Sequence, residues 1–173
     1  FSALNAGLNY PRMDPTEVAR RQAEGRLLLG FAASVYRWQI KRGAYFLHEH
    51  PASASSWKCP EIQSLQAFDT VQLISSDMCL FGMVATAAGG EVGPVKKPTK
   101  WLGNIPRLMH ELNRRCRGDH DWHVPLMNGR AAKAAVYPSG LVSAIMRGIQ
   151  AQVEEDERVK SGSSKSVKQP SIA

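Results

Sequence analysis

The sequence has few cysteines, no long apolar run and no membrane-targeting pattern. Its three cysteines, Cys59, Cys79 and Cys116, are widely spaced and odd in number, which is typical of a reducing compartment rather than a disulfide framework. The longest apolar stretch, residues 27–35, is about half the ~20 residues that a membrane-spanning helix needs. These absences predict an intracellular protein, nuclear or cytoplasmic, with no membrane as partner.

Motifs of several enzyme classes are also missing. Neither Gly89-Gly90 nor Asn128-Gly129 belongs to a GxGxxG or Walker sequence, so no phosphate-binding loop is indicated. The chain has no GxSxG element, and nothing favours a hydrolase of that type. Because it begins at Phe1 with neither methionine nor a signal pattern, we expect a fragment of a longer protein.

Positive charge is present, and it is concentrated in one segment. The chain carries 22 Lys and Arg against 15 Asp and Glu, a formal net charge of +7. Residues 96–117 contain seven basic side chains and one acidic one, so this segment holds nearly all of the excess. A local concentration of this kind is able to contact phosphate.

Helical and extended patterns alternate along the chain. The Asp14-Pro15-Thr16-Glu17 segment is typical of a helix start, and apolar residues at helical spacing continue to Gly43. Further helices are predicted at 61–67, 105–115 and from Tyr137; strands are predicted at 44–47, 71–75 and 99–102.

This alternation predicts an α/β fold. We expect a partial Rossmann-like parallel sheet with flanking helices, formed by residues 1–153 as one domain. Residues 154–173 are rich in Glu, Lys, Ser and Gly without apolar periodicity, which predicts a disordered tail.

The first candidate site is His48-Glu49-His50-Pro51, at the predicted end of a strand. Ligands bind beyond the carboxyl ends of strands in open α/β sheets, so Glu49 is a candidate acid or hydrogen-bonding group. The alternative is a polar strand end that only satisfies loop backbone. A metal site here is disfavoured, since in a strand His48 and His50 share one face while Glu49 points away.

The second candidate is Cys116-x3-His120-x2-His123. A thiol and two imidazoles at this spacing are able to ligate zinc, but a structural zinc site needs four ligands and the fourth is missing locally. The sequence therefore leaves open zinc and a plain polar loop, and we assign no metal ligand from it.

The third candidate is the basic segment itself. A loop with lysines, an adjacent Trp101 and a helix with arginines would form a phosphate-contacting surface; the alternative is a solvated helix face. The candidate nucleic-acid-binding residues here are Lys96, Lys97, Lys100, Arg107, Arg114 and Arg115.

Taken in order, these segments resemble the second half of a C5-cytosine DNA methyltransferase domain, in the divergent form found in retroelement-like polyproteins. The chain begins with a pair similar to the Phe-Ser that follows the family's nucleophile loop, and later segments resemble its Glu-Asn-Val strand, its Arg-x-Arg segment and its closing helix. The matching segments are Phe1-Ser2, Tyr45 to Pro51, Val71 to Ile74 with Cys79 to Gly82, Lys96 to Trp101, and Tyr137 to Ile145.

The resemblance covers residues 1–150 and implies DNA or RNA as partner. It implies a catalytic, cytosine-holding role for Glu49, and it adds Ser2 and Thr99 to the nucleic-acid-binding residues. The nucleophile loop and the S-adenosylmethionine loop are absent, so this cofactor is implied only where the missing N-terminal half is present.

The expected function is an incomplete methyltransferase-like domain with a basic nucleic-acid-contacting surface, inactive alone. Methylation at a pyrimidine carbon needs a thiolate nucleophile, an acid and a bound methyl donor, of which Glu49 supplies only the acid. The alternative is a non-catalytic nucleic-acid-binding or structural segment of a retrotransposon-type polyprotein.

Overall fold

The computed structural model describes residues 7, 9–126 and 135–164. Within them lie four α-helices and five strands, with short 3₁₀ turns between them. The helices are α1 (Pro15–Lys41), α2 (Pro60–Gln63), α3 (Pro106–Leu112) and α4 (Ser139–Ser164); the strands are β1 (Leu47–Pro51), β2 (Gln72–Asp77), β3 (Val84–Thr86), β4 (Val92–Pro94) and β5 (Pro98–Gly103).

Helix α1 begins where the sequence predicts. The Asp14 side chain accepts hydrogen bonds from the main-chain N–H groups of Thr16 and Glu17, and Pro15 occupies the first helical position. These contacts satisfy N–H groups that have no partner within the first turn. The helix ends at Lys41, and Gly43 beyond it has φ of 71°, a left-handed conformation that favours glycine.

The sheet is antiparallel, so the predicted Rossmann-like parallel sheet is wrong. Strand β5 lies in the centre and pairs antiparallel with β1 on one side and with β2 on the other. Strands β3 and β4 form a separate antiparallel hairpin. Alternating helices and strands are compatible with parallel strands joined by crossover connections. Here, however, β5, which comes late in the chain, lies between β1 and β2 and runs antiparallel to both.

Each face of the three-stranded sheet is covered by its own hydrophobic cluster. Leu102 of β5 faces α1 and α2, where it packs with Leu29, Trp57 and Ile62. The neighbouring Trp101 faces the other way, into a cluster that includes side chains of α3, α4 and the β3–β4 region. Alternation along one central strand therefore divides the core in two.

The Trp101 side also carries a buried polar chain. The indole N–H donates to the Ser76 hydroxyl at 2.8 Å, and that hydroxyl donates to the carbonyl of Leu112 at the end of α3. This arrangement satisfies the indole nitrogen and links β5, β2 and α3 inside the core.

Residues 154–164, predicted to belong to a disordered tail, are part of helix α4. Its acidic segment is held by partners distant in sequence: Glu155 forms a two-point ion pair with Arg107, with N–O distances of 2.6 and 2.8 Å, and Asp156 accepts from the Tyr45 hydroxyl at 2.8 Å. Residues 165–173 of the predicted tail lie outside the described residues. None of the helices in the described part of the chain has the length and apolar character needed to cross a membrane.

Candidate metal centre

Cys79 lies in a short 3₁₀ turn, Met78–Phe81, that directly follows β2. The turn ends at Gly82, whose φ of 83° is in the left-handed region. Met78 and Phe81 are buried in the core, and the Met78 N–H donates to the carbonyl of Lys96 at 2.6 Å. The turn therefore holds the Cys79 side chain in a buried, defined place.

The other three candidate ligands lie on a loop that follows α3 and has no helix or strand over 113–126. At its start the Cys116 N–H donates to the Asp77 carboxylate at 2.9 Å. At its end the Val124 N–H donates to the carbonyl of Pro94 at 2.8 Å, and the Val124 side chain is buried in the core. Between these anchors lie His120 and His123, both half-buried.

The loop also packs closely on the β3–β4 hairpin. A methyl group added at Gly93 of β4 would lie 2.6 Å from the ring of Trp122, the residue before His123. Glycine is therefore needed at this position for the indole to approach the strand. The contact places the histidine-bearing end of the loop against the hairpin.

Cys79, Cys116, His120 and His123 form one cluster, in which a ligand atom of each residue lies within 4.8 Å of all the others. Cys116 Sγ is 3.6 Å from His123 Nε2, and the two imidazole rings are nearly perpendicular with centroids 5.0 Å apart. The sequence hypothesis contained three of these residues. Cys79, 37 positions before Cys116, supplies the fourth.

The state of two members of the cluster bears on metal binding. Burial, and then the neighbouring Cys116 thiol, raise the pKa of the Cys79 thiol to about 11, so without a metal this thiol is protonated at neutral pH and a bound cation would have to displace its proton. Nε2 of His120 is buried and has no hydrogen-bond partner among the described residues. Two sulfur and two nitrogen donors gathered with an unsatisfied imidazole nitrogen are the surroundings that a thiophilic divalent ion would complete.

Zinc suits this donor set, and one ligand–ligand distance in the cluster equals that of a tetrahedral zinc site. Zn–S bonds of about 2.3 Å and Zn–N bonds of about 2.0–2.1 Å in a tetrahedron place sulfur and nitrogen ligands about 3.6 Å apart. This is the separation between Cys116 and His123. Four protein ligands close the coordination sphere, which is typical of a structural zinc site rather than a catalytic one.

Glu49, the predicted catalytic acid, lies elsewhere. It pairs with Trp101 within the sheet instead of projecting beyond a strand end, and its carboxylate accepts a hydrogen bond from Tyr137. Burial raises the pKa of Glu49 although Tyr137 and Lys97 lower it, and burial followed by the Glu49 charge raises the pKa of Tyr137 to about 12. The Lys97 ammonium lies 5.5 Å from the centre of the Tyr137 ring. Glu49 thus joins β1 to two later segments, and its catalytic role stays a prediction.

His48 and His50 share the opposite face of β1, as the strand pattern predicts, with ring centroids 4.5 Å apart. Burial, and then the nearby His50, lower the pKa of His48 to about 4. Nδ1 of His48 hydrogen-bonds with the Tyr36 hydroxyl at 3.2 Å. Together these residues line part of a groove of about 390 Å³ between α1 and β1. Burial also lowers the pKa of His50, so both rings are neutral at pH 7 and neither gives the groove a positive charge.

The basic segment does not form one continuous surface. Lys100 pairs with His50 across the sheet and therefore lies on the α1 side, opposite the face of Trp101. Three arginines are engaged by acids: Arg107 with Glu155, Arg114 with Glu111 and Arg115 with Asp77.

Around the candidate metal centre, the backbone of three basic residues lies next to the segments that carry the two cysteines. Arg115 and Arg117 flank Cys116, and the backbone of Lys96 bonds to the residue before Cys79.

The resemblance also implied Thr99 and Ser2 as nucleic-acid-binding residues. Thr99 is buried and its hydroxyl donates to the carbonyl of Lys97, so it is not presented to a ligand. Ser2 lies outside the described residues.

No protein family, curated protein or solved structure that was compared with the chain matches it. The methyltransferase resemblance has no counterpart among these comparisons and stays a prediction. Since the sheet is antiparallel, the strand-end argument that placed Glu49 at a substrate site no longer applies. The candidate function therefore has to be argued from the metal centre and its surroundings.

Proposed function

We propose that the chain is a zinc-binding domain in which a closed Cys2His2 centre fixes the loop 113–126 against the sheet and the β3–β4 hairpin. The observation that carries the proposal is the convergence of four ligand atoms within 4.8 Å. The ligands come from two segments that are distant in sequence. The zinc ion would cross-link them, as a structural metal does in small domains.

A bound zinc ion would also stabilise the loop. Over 113–126 the chain makes no helix or strand, and ordering its backbone costs about 1–2 kcal/mol per residue. The core burial of Val124 and the bonds at the two ends of the loop offset part of this cost. Structural zinc contributes on the order of 10 kcal/mol to folding in small domains, which is enough to offset much of the rest.

Metal titration tests the proposal directly. Protein stripped with a chelator is expected to bind one cobalt(II) ion per chain, with the absorption of tetrahedral cobalt–thiolate coordination. Zinc should then displace the cobalt and raise the Tm, because it binds the folded state. A chain that shows no such absorption at saturating cobalt, and no zinc-dependent Tm, would contradict the proposal.

A second candidate function is contact with nucleic-acid phosphates, and the basic residues around the metal centre favour it. Residues 77–79 bond on one side to Lys96 and on the other to the 114–116 segment, so a metal at Cys79 and Cys116 would hold these basic residues together. Lys96 and Arg117 make no ion pair within the described part of the chain. Of the three basic residues around the centre, these two are therefore the ones whose charge is not paired with an acid, whereas Arg115 is paired with Asp77.

Salt dependence distinguishes this surface from the broader one expected from the sequence. The double variant Lys96→Gln/Arg117→Gln should weaken binding to DNA or RNA and reduce the slope of log K against log salt by about 2, since about two fewer counterions are released. The matched double variant Lys41→Gln/Lys58→Gln removes the same charge elsewhere and should leave the slope nearly unchanged. Lys100→Gln should also have little effect because Lys100 lies on the opposite face. Equal slopes for the wild type and the Lys96/Arg117 variant would reject the phosphate surface.

A further inference from the structure

Asp77 is a fully buried residue that joins the two cysteine-bearing segments. It ends β2 and immediately precedes the turn that carries Cys79. Its main-chain N–H donates to the carbonyl of Arg114 at 2.9 Å. Its carboxylate Oδ2 accepts from the Cys116 N–H at 2.9 Å and from Arg115 Nε at 3.0 Å. One residue therefore holds the whole 114–116 segment beside Cys79.

The burial of this carboxylate is costly. Its second oxygen, Oδ1, is buried and finds no hydrogen-bond partner among the described residues. Among the described residues, the cation paired with it is Arg115, whose side chain is 55% exposed, and a partner so well solvated gives little compensation. Apolar side chains often replace buried ion pairs without loss of stability, so core packing alone does not require an acid here.

We propose that Asp77 is a positioning residue of the metal centre, and this inference rests on the proposed zinc function. By accepting the Cys116 N–H, it orients the backbone from which the Cys116 thiol extends, and it does so from a position two residues before Cys79. The two sulfur ligands are thereby brought together before a metal binds. Partners of this kind around a metal site typically contribute 10- to 100-fold to metal affinity.

A purely structural role gives a different expectation. If Asp77 only stabilised the end of β2, its removal would lower the Tm of the metal-free protein but leave the metal affinity of the folded protein unchanged. The positioning role predicts a loss of affinity with the four ligands still in place. Cobalt absorption at saturation reports the ligand set, and competition with a chromophoric chelator reports the affinity.

The experiment compares Asp77→Ala and Asp77→Asn with the wild-type chain. Asp77→Ala is expected to raise the zinc dissociation constant by about 10- to 100-fold while the saturated cobalt spectrum keeps its shape. Asp77→Asn keeps an oxygen that can accept the Cys116 N–H but loses the charge that holds Arg115, so its loss should be intermediate. As a matched control, Asp156→Ala removes a carboxylate bound to Tyr45 and Gln152 on α4, and it should leave the affinity unchanged.

The outcomes separate the two proposals. A wild-type chain that binds no metal overturns the zinc function and the role of Asp77 with it. A wild-type chain that binds one ion, with Asp77→Ala binding it equally tightly, overturns only the role of Asp77. If Asp77→Ala does not fold, Asp77→Leu decides, because leucine fills a similar volume but has no oxygen to accept the Cys116 N–H: a loss of affinity of about 10-fold or more supports the positioning role, and wild-type affinity overturns it.

Discussion

Replacing Cys79 with serine is expected to lower the zinc affinity of the chain by about 100-fold or more. This loss exceeds the roughly 10- to 100-fold loss typical when a residue that only supports a ligand is removed. Serine is nearly isosteric but offers a hydroxyl, which is a poor zinc ligand compared with a thiolate. The remaining three ligands all come from one loop and would no longer be cross-linked to the turn after β2. Chelator competition measures the affinity, and the Tm in the presence of zinc should fall with it.

Cys59 provides the matched control for this experiment. It is a free cysteine outside the cluster, and its thiol lies 3.8 Å from the carbonyl of Ser55 in its own turn. Cys59→Ser makes the same chemical change and should leave metal stoichiometry, affinity and zinc-dependent Tm as in the wild type. If Cys79→Ser behaves like Cys59→Ser, Cys79 is not a ligand and the four-ligand centre is rejected.

Replacing Gly148 with alanine is expected to destabilise the fold by about 1–3 kcal/mol, the usual effect of overpacking a core. Gly148 lies on α4 where that helix crosses α3. A methyl group added there would lie 2.6 Å from Leu108 Cα and 2.9 Å from Leu108 Cδ1. Because the closest atom belongs to the backbone, the helices have to separate. Urea denaturation measures the change as a lower midpoint.

Gly30 on α1 offers the same substitution with the opposite expected sign. No heavy atom lies within 4 Å of a methyl group placed there. Alanine in a helix interior is favoured over glycine by about 0.5–1 kcal/mol, so Gly30→Ala should leave the stability unchanged or raise it. A Gly148→Ala midpoint at or above that of the wild type would show that α3 and α4 do not approach so closely.

Local elements of the fold were largely predictable. The cap at Asp14, the strand around Val71–Ser75 and the helix after Ile105 all follow from side chains that act on their own backbone or recur at a fixed period. The strand at β1 was misplaced: it begins at Leu47 and includes the histidines that were expected to follow it. Partners from outside the local sequence, Trp101 and Lys100 on β5, set its range.

The direction of the sheet was not predictable from these patterns. An alternating or apolar strand pattern is the same whichever way its neighbour runs, and connection lengths only suggest a choice. Here β1 and β2 do not pair with each other, and both pair with β5, which comes later in the chain. The C-terminal part of helix α4 was not predictable for the same reason, since its acidic residues are held by Arg107 and Tyr45, which are distant in sequence.

The amino-acid order alone is enough to locate the accumulated charge and the local donors that are able to bind metal. The segment 96–117 and the Cys116, His120 and His123 triplet are visible without coordinates, because charge and ligand spacing are properties of neighbouring residues. That Cys79 completes the triplet, and that Lys100 lies on the opposite face of the sheet from Trp101, is visible only in the folded chain. The physical reason is common to both: a fourth ligand and a shared surface depend on distances between residues far apart in the chain, and strand pairing and core packing set those distances.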